Sequence, residues 1–194
     1  MPNMSRFEAT FCRSAPWRFT ARRVLLPWAL QGVHPTGEVL EIGAGSGAMA
    51  AELLAAHPGI RMTVTDFDDE MVRAAERRLV PFADQTSTRQ ADATGLPFDD
   101  DSFDFVLSWI MLHHTVEWEK ALAEAVRVCR PGGHVVGYDL LNTAPLRALH
   151  QAEGARFRMM RFGELRETVR DLPVSQAIIT PTVARLAVRF TLHK

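Results

Sequence analysis

The amino-acid sequence predicts an α/β fold, in which a doubly wound and mostly parallel sheet carries helices on both faces. Two observations lead to this prediction. Short apolar runs alternate with helical patterns between residues 39 and 141, and a glycine-rich turn joins the first run to the first helix. Alternating strands and helices of this kind form open parallel sheets. A hydrophobic fraction of 47% in 194 residues is enough for a single domain with its own core.

The elements follow in order from the first strand, which begins at Val39 and ends where the glycines begin. The later strands are predicted at 61–67, 87–93, 103–108 and 134–141, and at 176–180 and 186–192, where the residues alternate or run apolar. Helical periods predict one helix from Ala48, one with a buried stripe at Met71, Ala74, Ala75 and Leu79, one at 117–130 and one at 164–172. Residues 1–38 are expected to form an N-terminal cap segment, residues 39–141 the core, and residues 142–194 the last helices and two strands.

The turn after the first strand reads Glu41-x-Gly43-x-Gly45-x-Gly47. A sharp strand-to-helix turn needs φ values that side chains disfavour, and a ligand that touches the backbone needs the space that a side chain would fill. Such turns seat nucleotides against the N-terminus of the following helix. Read as Gly43-x-Gly45-x-x-Ala48, the turn also fits a dinucleotide-binding fingerprint. Glu41 favours a ligand with a cationic portion, because a carboxylate would repel a pyrophosphate.

The fuller spelling of the turn resembles motif I of the class I S-adenosylmethionine (SAM)-dependent methyltransferases. Later stretches are similar to motifs of the small-molecule methyltransferases in this family: residues 90–93, 96–98, 102–104 and 112–114, and Glu124 with residues 127–133. Together they cover residues 39–141 in the right order and spacing. The resemblance implies a Rossmann-like sheet of seven strands with an antiparallel last strand. It also implies transfer of a methyl group from SAM to a small-molecule acceptor by in-line displacement, with release of S-adenosylhomocysteine.

The turn and the resemblance together give a set of candidate cofactor-binding residues. Asp66 follows the second strand about twenty residues after the glycines, where a ribose-binding carboxylate belongs, and its carboxylate is expected to lack a buried protein partner. The resemblance implies that Asp92 bonds the adenine amino group, that the backbone of Ala93 donates an N–H, and that Ser108 lies under the methionine portion. The full set is Glu41, Gly43, Ala44, Gly45, Gly47, Asp66, Phe67, Met71, Asp92, Ala93 and Ser108.

His113 and His114 are the candidate catalytic residues. They follow the fourth strand at the carboxyl edge of the sheet, where ligands bind in open α/β folds. An imidazole ring can exchange a proton near neutral pH, so either residue is suited to act as a base or to orient the acceptor. The alternative is that both are only packed or solvated side chains. Tyr138 and Asp139, near the end of the fifth strand, are weaker candidates.

Composition and motifs narrow the function classes. The sequence has no dense basic block, no apolar run long enough to span a membrane and no metal-type spacing of Cys12 and Cys129. No (Asp/Asn)-Pro-Pro-aromatic sequence follows the fourth strand, which disfavours methylation of a DNA base amine. We therefore expect a cytoplasmic protein without a metal, a nucleic-acid partner or stable membrane insertion. Its oligomeric state stays open.

The charge distribution and the two ends of the chain indicate what kind of acceptor the site binds and what covers that site. Residues 1–38 and 147–194 carry net positive charge around an acidic centre, which favours packing of these flanks on the centre. Alternatively, the flanks meet over the site and attract an acidic acceptor, while the aromatic residues of the segment 1–38 suit an apolar one. Because few residues separate the fifth strand from the last helix, the site is expected to be open or to be covered mainly by residues 1–38. The alternative for this segment is a helix on a membrane surface.

Two other functions remain compatible with the sequence. The glycine turn alone allows a nicotinamide-dependent oxidoreductase, although that interpretation leaves the later motifs unexplained. A SAM-binding regulatory protein without turnover is the second alternative, because methyl transfer does not depend on one obligatory catalytic side chain.

Overall fold

The structure is a computed structural model that describes residues 24–30, 32–144, 146–147, 158–182 and 184–194. Most of the predicted N-terminal cap, including Cys12, therefore lies outside the described residues.

Within the described part of the chain, seven strands form one sheet in the order β3-β2-β1-β4-β5-β7-β6. The strands are β1 Glu38–Ile42, β2 Arg61–Asp66, β3 Thr86–Gln90, β4 Phe103–Trp109, β5 Cys129–Leu140, β6 Gln176–Pro181 and β7 Ala187–His193. Strands β1 to β5 pair in parallel, and β7 pairs antiparallel with both β5 and β6. The predicted seven-stranded sheet with an antiparallel last strand is confirmed.

Helices cover both faces of the sheet, as predicted. The described helices of four residues or more are α1 Leu26–Leu30, α2 Ala48–Ala56, α3 Asp69–Leu79, α4 Trp118–Val128 and α5 Phe162–Arg170, with a 3-10 stretch at Val80–Gln85. One core lies between the sheet and helices α4 and α5, around Trp118, Leu122 and Phe190. The second core lies between the opposite face and helices α1 to α3. Strand residues that alternate along β4 contribute to the two cores in turn, as the pleat of a sheet requires.

Several predicted boundaries differ from the structure. The predicted third strand reaches residue 93, but β3 ends at Gln90, where the chain turns away from the sheet. The predicted helix at 117–130 ends at Val128, because Cys129 already pairs with Phe103 of β4. Strand β5 therefore begins at Cys129 and not at the predicted residue 134, and it includes the sequence Pro131-Gly132-Gly133.

The buried stripe of α3 also differs from the prediction. Its buried residues are Val72, Ala75 and Leu79, while Met71 and Ala74 are only partly buried. Helix α5 begins and ends two residues earlier than predicted. Among the described residues, no helix is long and apolar enough to cross a membrane.

Candidate active site

The glycine turn lies where the strand order of the sheet reverses. Strand β1 has β2 on one side and β4 on the other, so the loops that leave β1 and β4 diverge at this point. Open α/β sheets bind ligands in the crevice that such a reversal creates at the carboxyl ends of the strands. Ser108, near the end of β4, pairs with Ile42 at the end of β1 and so lies beside the turn.

The three glycines of the turn have different surroundings. A Cβ atom on Gly43 would lie 2.7 Å from Cβ of Met111, and one on Gly47 would lie 3.1 Å from Cβ of Ala75. A Cβ atom on Gly45 would meet nothing within 4 Å, although its φ of +55° also favours glycine. Gly43 and Gly47 thus permit close packing of the protein on itself, whereas Gly45 borders open space in which a ligand fits.

Strand β2 holds the turn in place through three hydrogen bonds. The backbone N–H of Ala44 donates to the carbonyl oxygen of Thr65 at 2.9 Å, and the Thr65 hydroxyl donates to the carbonyl oxygen of Glu41 at 3.0 Å. The N–H of Gly45 donates to Asp66 Oδ2 at 2.7 Å. Sequence reasoning missed Thr65, although a hydroxyl residue in an otherwise buried strand is a signal of such a role.

The Asp66 carboxylate is more occupied than predicted. Besides the bond from Gly45, its Oδ1 accepts the N–H of Asp68 at 2.9 Å. Burial raises the pKa of Asp66 above its usual range, although the two N–H donors act in the opposite direction. The expectation that this carboxylate lacks a protein partner is therefore wrong. The spacing of the sequence located the carboxylate at the turn, but it could not show that the turn itself donates to it.

Glu41 is the second carboxyl group at the turn. Its side chain is 1% exposed, and its Oε2 has no hydrogen-bond partner. Burial, and then the negative charge of Asp66, raise the pKa of Glu41 to about 8. A buried carboxyl group without a donor is costly for the free protein, so it is a typical feature of a site that receives a ligand.

The remaining candidates line the same edge of the sheet with different exposure. Phe67 directly follows β2 and is 38% exposed. Asp92 is exposed, and its Oδ1 accepts both the N–H and the hydroxyl of Thr94 at 2.9 and 2.8 Å. Ala93 is buried, and the buried hydroxyl of Ser108 has no hydrogen-bond partner. The partly buried Met71 lies in the first turns of α3.

A buried pair joins the ends of β4 and β5. The Nδ1 atom of His113 lies 2.6 Å from Oδ1 of Asp139, and their side chains are 1% and 0% exposed. Asp139 also accepts the N–H groups of Leu112 at 2.7 Å and Leu140 at 2.6 Å. The rings of His113 and His114 are 4.0 Å apart, and His114 is partly exposed. Of the two histidines, His113 is thus held inside the protein and His114 lies nearer to its surface.

The motif residues Glu124 and Arg127 on α4 hold the loop between β3 and β4. Glu124 accepts the N–H of Leu96 at 2.8 Å and pairs with Arg127, which donates to the carbonyl oxygens of Leu96 and Phe98. The Arg127 side chain keeps the pKa of Glu124 below its usual range, since hydrogen bonds stabilise the charged form. These two residues therefore support the edge of the site without facing a ligand.

Aromatic side chains surround the end of β5. Tyr138 packs edge-on against Trp28 of α1 and tilted against Trp109 of β4, with ring centroids 5.5 Å apart in each case. Trp109 is buried, and its Nε1 has no hydrogen-bond partner. Trp28 belongs to the described end of the predicted cap segment, so this end of the cap packs on the sheet beside the site.

Comparison with known proteins decides the family. The sequence matches the family described as "Methyltransferase domain" over residues 40–137, which is half of the chain and includes the glycine turn and strands β2 to β4. The chain belongs to this methyltransferase family. With its fold and relatives, it is a class I SAM-dependent methyltransferase, as the motifs indicated. The nicotinamide-dependent oxidoreductase is not supported by this assignment.

The curated relatives of this methyltransferase include enzymes named for quinone biosynthesis. It is 40% identical over 121 residues to the demethylmenaquinone methyltransferase of Clavibacter sepedonicus, a match that covers 62% of this chain and 45% of that protein. It is 32% identical over 105 residues to the ubiquinone/menaquinone biosynthesis C-methyltransferase UbiE of Geotalea daltonii, covering 53% of this chain and 45% of that protein. The chain spans less than half the length of these relatives.

A solved structure shows the same fold in a SAM complex. The phosphoethanolamine N-methyltransferase 2 of Haemonchus contortus, in complex with SAM, superposes with a TM-score of 0.79 at 15% sequence identity, covering 98% of this chain and 58% of that chain. At this identity the likeness concerns the fold alone. Within the described ranges of our methyltransferase, no group of three or more His, Cys, Asp or Glu side chains is arranged to hold a metal ion.

Proposed function

We propose that this chain transfers a methyl group from SAM to a small-molecule acceptor and releases S-adenosylhomocysteine. The observation that carries the proposal is the turn after β1, where a Cβ atom on Gly45 would meet nothing within 4 Å, the Gly45 N–H donates to Asp66, and the buried Oε2 of Glu41 has no hydrogen-bond partner. These two carboxyl groups fit SAM, because their oxygens accept hydrogen bonds from the ribose hydroxyls and the ammonium group that the cofactor brings. When bound, SAM supplies a methyl group that is activated by its sulfonium.

In this proposal, the residues around the turn contact different parts of the cofactor. Asp66 accepts from the ribose hydroxyls, and Glu41 receives the ammonium group. Gly43, Ala44, Gly45 and Gly47 form the backbone cradle. Phe67, directly after β2, and Met71 on α3 contact the nucleoside. Asp92 accepts from the adenine amino group, and the backbone of Ala93 donates to the ring. Ser108, whose buried hydroxyl has no protein partner, lies beneath the methionine portion.

The two histidines have unequal roles in the proposed reaction. The N–H groups of Leu112 and Leu140 hold the Asp139 carboxylate, which in turn fixes the ring of His113. In the proposal this contact orients the segment after β4. His114 lies nearer to the surface and is the proposed base for an acceptor that must lose a proton. The chain also has to exclude water and keep the acceptor in line with the methyl group. The aromatic side chains of Trp28, Trp109 and Tyr138 lie where they would do so.

For the acceptor we propose a planar aromatic molecule that carries a hydroxyl group on its ring, such as a quinol, in line with the names of the quinone methyltransferase relatives. Two observations support this narrower class. Flat rings pack well against aromatic side chains, and the partly buried Trp28 exposes one beside the buried Trp109 and Tyr138. The indole N–H of Trp109 also lacks an acceptor in the protein. An acidic acceptor remains an alternative because of the basic flanks, and a cytoplasmic location stays a prediction.

A thermal-shift panel of SAM, S-adenosylhomocysteine, NAD and NADP tests the proposal. A ligand that binds only the folded state stabilises it by RT ln(1 + [L]/Kd), so a hundredfold excess over Kd adds about 2.7 kcal/mol. We expect the first two compounds to raise the Tm and the two dinucleotides to leave it unchanged. A shift with NAD and none with SAM would contradict the proposal. Binding of SAM without turnover of any quinol acceptor would favour the regulatory alternative.

Replacing Asp66 with asparagine is expected to weaken SAM binding by roughly 1.5–3 kcal/mol, or about ten- to hundredfold, because charge-assisted hydrogen bonds to the ribose are lost. The variant should also be less stable by about 1 kcal/mol, since an amide nitrogen cannot accept the N–H of Gly45. Isothermal titration calorimetry and urea unfolding measure the two effects separately.

Asp104→Asn is the matched control for this variant. Asp104 accepts the N–H of Glu38 at 2.8 Å and pairs with Arg130, but it lies near the start of β4, at the opposite edge of the sheet. This control should lose stability and keep its affinity for SAM. Equal affinities of the Asp66 variant and the unmodified protein would leave Asp66 with a purely structural role.

A further inference from the structure

Glu41 differs from the other carboxyl group of the cofactor site in what the protein donates to it. Asp66 accepts two backbone N–H groups, from Gly45 and Asp68. The hydroxyl of Thr65 is directed to the backbone carbonyl of Glu41, and the side-chain Oε2 of Glu41 has no partner at all. The turn thus donates hydrogen bonds to the carboxyl group of Asp66 and none to Oε2 of Glu41.

The charges around Glu41 are also unfavourable to a second carboxylate. Strand β1 lies between β2 and β4, and the charged group that these neighbours bring to act on Glu41 is Asp66, which is itself negative. Among the described residues no cation acts on Glu41. Two carboxyl groups in one buried site cannot both ionise at low cost, so the one without donors holds a proton. Burial and the charge of Asp66 accordingly raise the pKa of Glu41 to about 8.

We propose that Glu41 determines the specificity of the cofactor site for an ammonium-bearing nucleoside, by exchanging a carboxyl proton for the ligand's ammonium group. The O–H bond of the carboxyl group breaks, the proton leaves to the buffer, and the resulting carboxylate accepts hydrogen bonds from the incoming ammonium. Charge is conserved at the site, because one positive group replaces another. This inference rests on the proposed SAM site and adds the selection step to it.

The exchange explains which nucleosides the site would reject. A nucleoside without an ammonium group cannot replace the proton. The carboxyl group of Glu41 then stays protonated and gains no hydrogen-bond partner from the ligand. A dinucleotide pyrophosphate would lie next to Asp66 and would gain nothing from an ionised Glu41. Selectivity against neutral and anionic nucleotides thus follows from one buried side chain.

Isothermal titration calorimetry tests the exchange without turnover. S-adenosylhomocysteine is titrated at pH 7 into the full chain in two buffers of different ionisation enthalpy, which reports the protons released on binding. We expect most of one proton to be released. Between pH 6 and 7 the affinity should rise about tenfold per pH unit, levelling above the pKa of Glu41, which lies at about 8. Binding of 5′-methylthioadenosine, which lacks the amino-acid portion, should release no proton.

Two variants assign the proton to its residue. Glu41→Gln should release no proton and should bind S-adenosylhomocysteine more weakly with a flat pH profile between pH 6 and 8. Glu76→Gln, an exposed control on α3, should behave like the unmodified protein. Infrared difference spectra of the unmodified protein give a measurement that needs no variant: addition of S-adenosylhomocysteine should remove a protonated carboxyl band.

The outcomes separate this inference from the proposed function. Binding of S-adenosylhomocysteine without proton release, or with the protonated carboxyl band unchanged, would overturn the exchange and leave the proposed function intact. Proton release that persists in Glu41→Gln would overturn the assignment to Glu41. Failure of the unmodified protein to bind either SAM or S-adenosylhomocysteine would instead contradict the proposed function.

Discussion

Gly45→Val is expected to abolish SAM binding, with a loss of affinity of at least about hundredfold, in a protein that still folds. A Cβ atom at this position would meet nothing within 4 Å in the free protein, so we expect no clash at the start of the new side chain. It would instead fill the space beside Gly45, next to Asp66, that the proposed cofactor occupies. The φ of +55° adds a strain of roughly 1–2 kcal/mol for a residue with a Cβ atom. Calorimetric titration with SAM, together with circular dichroism, measures the effect.

Gly132→Val separates strain from exclusion of the ligand. Gly132 has a φ of +82°, and a Cβ atom on it would meet nothing within 4 Å, as at Gly45. It lies in the first part of β5, away from the turn. The two valine variants should therefore lose similar stability, and only the variant at Gly45 should lose its affinity. Retention of SAM affinity within about threefold in Gly45→Val would mean that the cofactor does not pass over this part of the turn.

Asp139→Ala is expected to reduce the free energy of unfolding by about 3–5 kcal/mol, a large part of the 5–15 kcal/mol that typical domains possess. The substitution leaves the ring of His113 and the N–H groups of Leu112 and Leu140 without their acceptor in a fully buried place. Unsatisfied buried donors cost about 1–3 kcal/mol each, although relaxation and entering water reduce the total. The midpoint of urea unfolding gives the measurement.

Two further variants define the origin of that loss. Asp139→Asn keeps one oxygen acceptor and should lose less stability than the alanine variant. Asp99→Ala removes an exposed carboxylate in the loop before β4 and should change stability by no more than about 0.5 kcal/mol. If the alanine variants at positions 139 and 99 were equally stable, Asp139 would not join the ends of β4 and β5 in the way the hydrogen bonds indicate.

The order of the elements was predictable because periodicity reports burial. Apolar runs, alternation and helical stripes located most of the strands and helices α2 to α5, since these elements pack at least one face into a core. Strand β3 is the exception, because its residues are polar and none of them is buried. Boundaries were less predictable where a tertiary contact decides them. Cys129 fits the apolar stripe of the helix before it, yet its pairing with Phe103 places it in a strand. Such a pairing joins residues far apart in sequence and leaves no local signal.

The sequence predicted the position of the candidate site better than the hydrogen-bond partners of its residues. The spacing of the glycine turn and Asp66 located the edge of the sheet at which they meet. The sequence could not show that Gly45 and Asp68 already occupy the Asp66 carboxylate, or that Glu41 has no donor. It also could not show that His113 is oriented by Asp139, because His113 lies in the segment after β4 and Asp139 lies on β5, 26 residues further along the chain. These contacts depend on the three-dimensional packing of the loops.

The order β5-β7-β6 has a consequence for how the sheet is assembled. Strand β6 precedes β7 in the chain but lies outside it, and β7 is the only strand with which β6 pairs among the described residues. The short connection between them makes a hairpin, a structure that forms from local contacts on a microsecond timescale. Docking to β5 then depends on β7 alone and joins residues more than forty positions apart, such as Tyr138 and Arg189. We therefore expect the β6–β7 hairpin to form early and to join the parallel sheet as one unit in a slower step.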